Sequence, residues 1–531
     1  MALRLFSDMK VKLVVLLISV LYSLNFLFWN VDLVDNFYWI NRTSFYQMDF
    51  MNILSDFVCK LWLAIFGKTV LALRILGWLF YAGAMTLVYV CLQPKDQMRN
   101  NLYFLACGFV FLATGTQRMF TPDSPTVFCL AIASVCLVKY YQRQYSYLYY
   151  CLAVIGVLAT SFRFPNILLF PFGIALAVFY DIYSNRISIK VILRRVILSI
   201  VLFGVLYSFL VMLLSGRTDL LAFALDGVLK HKVGPSHNLG HLISMYKSTY
   251  FWQLSNCANL FLMFYVVKRI IHVTRQKWIS ILAAPIIIIV LIKHSVYTAE
   301  IYPSFWGLWV ILCILLLEYK SKEVADKMAY VSFIMLSFIS IAGSDCGIMK
   351  LMPYCAAVTP ICLCWNRKVG GQNTCVSYMM TILLLASIVI NMLDMRKYSA
   401  KLDNPCLLYL RIDENKKNDY QIILKDIKQY GNEGNNIYYG MRYGHTMYAL
   451  THCVPQYYSS FWMFKDDYSE LSTVTGLMKD NPKMVLFDFT KSNSDFFKNH
   501  GLAVVAKTKY SNVYKTKNKN IVQNVTKYTN K

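Results

Sequence analysis

Apolar runs of roughly 20 residues, the length of helix that crosses a bilayer, recur along this chain. They restrict its fold more than any motif does. Backbone amides and carbonyls find no water in hydrocarbon, so such segments cross as helices that satisfy their own polar groups. Runs of this kind are read at Val11–Trp29, Val70–Leu92, Leu102–Arg118, Ser124–Tyr141, Tyr147–Ser161, Ile167–Tyr183 and Val191–Leu214. A polar connection, Ser215–Tyr250, interrupts them. More follow at Phe251–Val267, Ile279–Val296, Tyr302–Leu317, Ala329–Ala342, Leu351–Trp365 and Val376–Leu393. The sum is about 13 crossings, some short or tilted. The first run follows Arg4, Lys10 and Lys12 as a signal peptide would, yet it ends on Phe26, Phe28 and Trp29 with no small-x-small cleavage site. It is read as a retained span.

Composition agrees. Hydrophobic residues make up 57% of the 531 and charged residues only 15%, which excludes a soluble globular protein. The 53 Lys and Arg against 28 Asp and Glu give a net charge of +25. Those cations are scattered between apolar runs rather than gathered on one patch, so membrane lipids and not nucleic acid are the expected partner. With a cytoplasmic amino terminus, the connections holding Arg186, Lys190, Arg194 and Arg195, then Lys268, Arg269, Arg275 and Lys277, then Lys320, Lys322 and Lys327, then Arg367 and Lys368 all fall on the cytoplasmic side. The 15 cysteines lie mostly inside apolar runs, as small hydrophobes, and imply no disulfide framework.

The chain changes character after Leu393. Short apolar stretches, CLLYLRI, NNIYYG, KMVLFDF and LAVVAK, alternate with the helical patterns NDYQIILKDIKQYG and MYALTHC. The expected organisation is an all-α polytopic transmembrane bundle over residues 1–397, a small extracytoplasmic α/β domain over 398–514, and a basic, disordered tail over 515–531.

Chemistry is concentrated in the connection Asn30–Arg74, which places Asp32, Asp35, Asp49 and Asp56 beside the membrane. A carboxylate in the hydrocarbon centre costs roughly 2.5–3.5 kcal/mol, whereas one facing a cleft at the surface stays ionised and serves as a general base. Within the same connection, Ile53, Leu54, Phe57, Val58, Leu61, Trp62 and Ile65 recur at intervals of three and four, which predicts an amphipathic helix over Asn52–Phe66 lying in the interface.

Phe66-Gly67 followed by Arg74, then TGTQRMFTPDSPTVF over Thr114–Phe128, then LATSFRFPNILLFPF over Leu158–Phe172, resemble in order and spacing the landmarks of the GT-C membrane glycosyltransferases. The nearest patterns are the protein mannosyltransferases and the lipid A aminoarabinose transferases, over roughly the first 220 residues. The resemblance implies an inverting transfer from a polyprenyl-phosphate sugar donor to a lipid, glycan or protein acceptor at the outer face. By position it makes Asp35 the base, with Asp32 and Asp49 as alternatives, and Asp123 a second acidic position preceded by Arg118. It also leaves open a divalent cation, Mg or Mn, at Asp35 and Asp123. The chain departs from the family in having Asn36 where Glu is usual and YQMDFMN where a His-Pro-Pro stretch is common, so no His ligand is carried over.

Such a reaction needs cations for the donor phosphate. Arg118, Arg163, Lys230, Lys232, Lys293 and Lys350 are the outer-side candidates, with His237 of the GPSHNLGH loop as a donor contact. Plainer accounts exist: Arg118 and Arg163 as snorkelling span ends, Asp123 as a helix cap before Ser124-Pro125, and His231, His237 and His241 without a cysteine or carboxylate at zinc spacing. Two other classes share the many spans. An oligosaccharide polymerase or ligase is expected to lack the acidic first connection and to place its long loop late, and a transporter is expected to show internal repeats that this chain does not have. A bacterial inner membrane with a periplasmic site is the expected location, although sequons at Asn41 and Asn524 allow the endoplasmic reticulum.

The span count predicts that cysteines introduced at Ser399 and Ser321 are labelled from opposite sides of the membrane. Labelling of both from one side shows the count to be wrong by an odd number.

Overall fold

The computed structural model describes residues 9–28, 33–43, 50–92, 103–108, 120–143, 147–184, 187–231, 324–339, 398–440, 443–454 and 468–517, with a few single positions between them. The spans expected between Phe251 and Leu317 and between Leu351 and Leu393, and most of Leu102–Arg118, lie outside the described residues. The chain divides into two compact units. One comprises residues 1–27, 48–57 and 74–396, and the other residues 28–47, 58–73 and 397–531.

The first unit is helical. Among the described residues, Val70–Leu92, Asp123–Gln142, Phe164–Ser184 and Ile189–Ser215 are long and apolar enough to cross a membrane. These limits follow the apolar runs closely because bilayer thickness sets them. Met9–Phe26 is also a helix, and Leu148–Phe162 is a shorter apolar one. The latter packs against Asp123–Arg143, Leu169–Ser184 and Ile189–Ser215. Gly156 makes the approach possible, since a Cβ there would stand 2.7 Å from Cβ of Phe170 and 3.3 Å from the Phe203 ring. Those two rings stack 4.6 Å apart. In lipid, where apolar surface gains nothing by leaving solvent, such close approach is what joins helices. Toward the other end of the same helices, the Asp181 carboxylate is buried and accepts hydrogen bonds from Tyr140 at 2.5 and 2.7 Å and from Tyr149 at 2.7 Å.

Helix Ile189–Ser215 stops at Gly216, whose φ of 67° places its N–H 2.9 Å from the Met212 carbonyl. A further helix, Leu220–His231, then forms within what reads in sequence as a polar connection. Its Phe223 joins Phe50, Ile53 and Val211 in one buried cluster.

The second unit contains the α/β region. Strands β1 (Tyr398–Ala400) and β2 (Ile412–Asp413) pair antiparallel, and strands β3 (Asn436–Tyr439), β4 (Val485–Asp488), β5 (Leu502–Lys507) and β6 (Asn512–Thr516) form a sheet of order β3-β4-β6-β5. β3 and β4 are parallel and wholly buried, as crossover strands covered by helices are. Helices Gly444–Leu450 and Tyr468–Asp480 make that crossover, and β5 and β6 close the sheet as an antiparallel pair. Helix Glu414–Tyr430 starts at Asp413, whose side chain accepts the Asn415 N–H, and buries Tyr420, Ile423 and Ile427 along one stripe. β6 runs to Thr516, two residues into the expected tail, because Tyr514 is buried and the Thr516 hydroxyl reaches the Met478 carbonyl at 2.9 Å.

This unit also takes in part of the first connection. Helix Leu33–Arg42 packs on Gly444–Leu450 and buries Phe37, Tyr38, Trp39 and Ile40. Asn41 is buried, and its amide donates to the His445 carbonyl at 2.7 Å.

Gly156→Ala is expected to lower stability by roughly 1–3 kcal/mol through overpacking, seen as a lower midpoint in a detergent melt. Gly204→Ala, where an added Cβ meets nothing within 4 Å, should leave the midpoint unchanged or slightly raised.

Candidate active site

The site is built where a helix is made to stop. In FRFPN, Pro165 has no N–H to donate and its ring excludes the carbonyl four residues earlier, so helix Leu148–Phe162 cannot continue. Arg163 turns extended, at φ −154° and ψ 113°, and a short 3-10 turn, Phe164–Leu168, leads into the next helix. Side chains meet the carbonyls around the break, although that of Ala159 also keeps the Arg163 N–H at 3.0 Å. Ser55 donates to the Phe162 carbonyl at 2.8 Å, and the Asn166 amide donates to the Ala159 carbonyl at 3.1 Å and to the Thr126 hydroxyl at 2.7 Å.

The extended backbone carries the Arg163 side chain to Asp123, Nε to Oδ1 at 4.0 Å, with both side chains nearly buried. Asp123 opens helix Asp123–Arg143, where unpaired amides favour negative charge. Thr121 accepts the Asp123 N–H at 3.3 Å and Thr126 donates to the Pro122 carbonyl at 2.6 Å, which fixes that first turn. Tyr81 of Val70–Leu92 is buried within the field of Asp123. Phe80 walls the site against Phe120, Phe128 and Phe162, at ring separations of 5.9, 6.1 and 5.8 Å. Ser161 Oγ, Asn166 Oδ1 and the Tyr207 hydroxyl are buried with no hydrogen-bond partner among the described residues. Buried polar atoms are nearly always bonded, so this end of the helices has capacity for a polar ligand.

Of the residues singled out from sequence, Asp123 and Arg163 come together here. Asp35 is the third residue of helix Leu33–Arg42 and belongs to the other compact unit. Lys230 lies in the last turn of helix Leu220–His231. Asp32, Asp49, Arg118, Lys232, His237, Lys293 and Lys350 lie outside the described residues. Ser55, Tyr81, Asn166 and Tyr207 escaped the sequence reading. Pro165 within an apolar run was the available signal, because a break in lipid demands polar side chains to cover it.

The Asp123 carboxylate faces a guanidinium, and no three His, Cys, Asp or Glu gather among the described residues.

In the second unit, the helix that carries Asp35 is fixed by a buried aromatic and cationic cluster. The Arg42 guanidinium donates to the Tyr38 hydroxyl and lies 5.2 Å from the centre of the Trp39 ring. Tyr38 meets the His445 ring edge-on at 5.3 Å. His445 is buried, and burial pulls its imidazole down from 6.5 to about 4.

Residues 52–225 match the family described as dolichyl-phosphate-mannose-protein mannosyltransferase. Over those residues the chain is similar to that family. The matched region contains Ser55, Tyr81, Asp123, Arg163, Asn166 and Tyr207. Among solved structures, the chain is similar to ArnT from Cupriavidus metallidurans bound to undecaprenyl phosphate, at 12% identity and a TM-score of 0.42, over 95% of this chain and 96% of that one. The apo form of the same protein matches at 10% identity and 0.39, over 94% and 97%. No curated protein matches.

Two outcomes are expected. A double-mutant cycle with Asp123→Asn and Arg163→Gln should return a coupling of roughly 1–3 kcal/mol in stability, and a value under about 0.3 kcal/mol would show the two groups to be independent. Because His445 takes up its proton more readily when unfolded, the second unit should keep full stability above about pH 6.5 and lose up to about 3 kcal/mol as pH falls toward 4. His445→Gln should flatten that slope, and an unaltered slope would place the titration elsewhere.

Proposed function

We propose that this chain is a multi-pass membrane glycosyltransferase that transfers a sugar, with inversion, from a polyprenyl-phosphate donor to a lipid, glycan or protein acceptor. The observation that carries the reading is the buried Asp123–Arg163 pair, set beside unsatisfied polar atoms at the end of apolar helices, inside the region that matches the mannosyltransferase family. That family is named for dolichyl-phosphate-mannose, itself a polyprenyl-phosphate sugar.

The chemistry follows from the residues. The acceptor hydroxyl oxygen attacks the anomeric carbon, and the bond from that carbon to the donor phosphate oxygen breaks. The hydroxyl proton passes to a carboxylate, assigned to Asp35, with Asp32 and Asp49 as alternatives. The electron pair stays on the departing polyprenyl phosphate, where a guanidinium meets the developing charge bidentately. Arg163 takes this role, oriented by Asp123. Arg118, Lys230, Lys232, Lys293, Lys350 and His237 supply further donors to the phosphate. Inversion requires one base and no covalent intermediate.

We place the protein in a bacterial inner membrane with the site on the periplasmic side. The sequon at Asn41 lends no weight to the endoplasmic reticulum, because the nitrogen that would carry a glycan is buried and bonded to His445.

Purified protein incubated with a panel of radiolabelled polyprenyl-phosphate sugars should transfer one of them to an added acceptor. Asp35→Asn should slow that transfer by roughly a hundredfold to ten-thousandfold with the melting midpoint unchanged. Near-normal transfer by that variant, together with loss in Asp32→Asn or Asp49→Asn, moves the base within the first connection. No transfer from any donor overturns the reading.

A further inference from the structure

Within the second unit, a turn of the α/β region is bonded to Phe28 and to Val70. The Arg411 N–H donates to the Phe28 carbonyl at 2.8 Å, two residues beyond helix Met9–Phe26. The backbone of Val70, the first residue of span Val70–Leu92, lies against the Cys406 thiol. The segment from Cys406 to Arg411 is therefore tied to Val70, the first residue of span Val70–Leu92.

The tip of this segment is apolar and outward. Leu408 is 50% exposed and Tyr409 66%, between the buried Leu407 and Leu410. Tyr409 has a φ of 65°, a conformation that is strained for a bulky residue. It is held by consecutive turns, Leu408 N–H to the Pro405 carbonyl at 3.3 Å and Leu410 N–H to the Leu407 carbonyl at 2.9 Å. The chain thus keeps a strained backbone in order to present a leucine and a tyrosine.

Further apolar exposure lies in the same unit. The part of helix Ile53–Phe66 from Val58 onward belongs to this unit and buries Cys59 and Leu63, yet Leu61 is 52%, Ile65 65% and Phe66 56% exposed. Phe28 is 37% exposed. A tyrosine beside aliphatic side chains is the composition of a membrane-water boundary, where the ring sits in the acyl region and the hydroxyl among headgroups. Lys68, two residues before Val70, and Arg411, two after Tyr409, add positive charge where lipid phosphates lie.

We propose that the carboxyl-terminal α/β region has its own lipid contact, in which the Leu408–Tyr409 turn, together with the exposed Phe28, Leu61, Ile65 and Phe66 of the same unit, rests in the headgroup layer of the bilayer. The contact keeps the region at the membrane surface independently of any substrate.

The test places a photoreactive phenylalanine analogue at position 409 of the full-length protein in nanodiscs of phosphatidylethanolamine and phosphatidylglycerol. A second sample carries it at Lys498, an exposed position of helix Ser494–Asn499 in the same unit. After irradiation, peptide mass spectrometry should find a phospholipid adduct at 409 and none at 498. No lipid adduct at 409, equal adducts at both positions, or an intramolecular cross-link at 409 in place of lipid each overturns the proposal.

Discussion

The break in the helix at Arg163 is the constraint on which the candidate site depends. An uninterrupted helix would satisfy its own backbone and present side chains only around its circumference. Pro165 prevents that, and a break among apolar helices is tolerated only where other groups take up the released carbonyls. Ser55 takes up the Phe162 carbonyl, and Asn166 adds a second donor to the Ala159 carbonyl that the Arg163 N–H already meets, so the start of the first-connection helix and the turn after the break are both held at this discontinuity. The extended Arg163 then reaches Asp123 rather than projecting radially. Buried ion pairs are weak contributors to stability, since desolvation offsets most of their attraction. Their retention in an apolar setting points to a use.

The candidate groups are divided between the two units, and each unit fixes its share differently. Around Arg163 and Asp123 the fixing is polar, through hydrogen bonds that the helix break makes obligatory. For the helix of Asp35 it is aromatic and cationic, with Tyr38, Trp39 and Arg42 buried in the helix that packs on Gly444–Leu450 and the side-chain amide of Asn41 donating to the backbone across that contact. What reads in sequence as a loop beside the membrane is in part an ordered component of the carboxyl-terminal unit.

How much was legible follows from range. Bilayer thickness writes itself into residue spacing, so Val70–Leu92 and the spans between Asp123 and Ser215 could be read directly from hydropathy. The α/β character showed in short apolar stretches, because β3 and β4 are buried on both faces. Helix Leu220–His231 was obscured because its polar neighbours, from Ser215 to Asp219, dominate the local composition, while its docking through Phe223 depends on Phe50, about 170 residues away. The Asn41 sequon shows the same limit, for nothing local distinguishes an asparagine that faces water from one bonded to a carbonyl 404 positions later. Arg163 and Asp123 were both legible as candidates. Their pairing was not, since it depends on the backbone angle that Pro165 imposes.

The central claim is that the Arg163 end of the helices receives a phosphate carried on a lipid. The most direct measurement compares the binding of polyprenyl phosphate with that of the matching polyprenol, in wild type and in Arg163→Lys, at low and high salt. The account predicts that the phosphate form binds wild type more tightly, that added salt narrows the difference, and that Arg163→Lys weakens the phosphate form alone, because charge is kept while planar donor geometry is lost. Equal binding of phosphate and alcohol, or an Arg163→Lys variant with undiminished phosphate affinity, would contradict it.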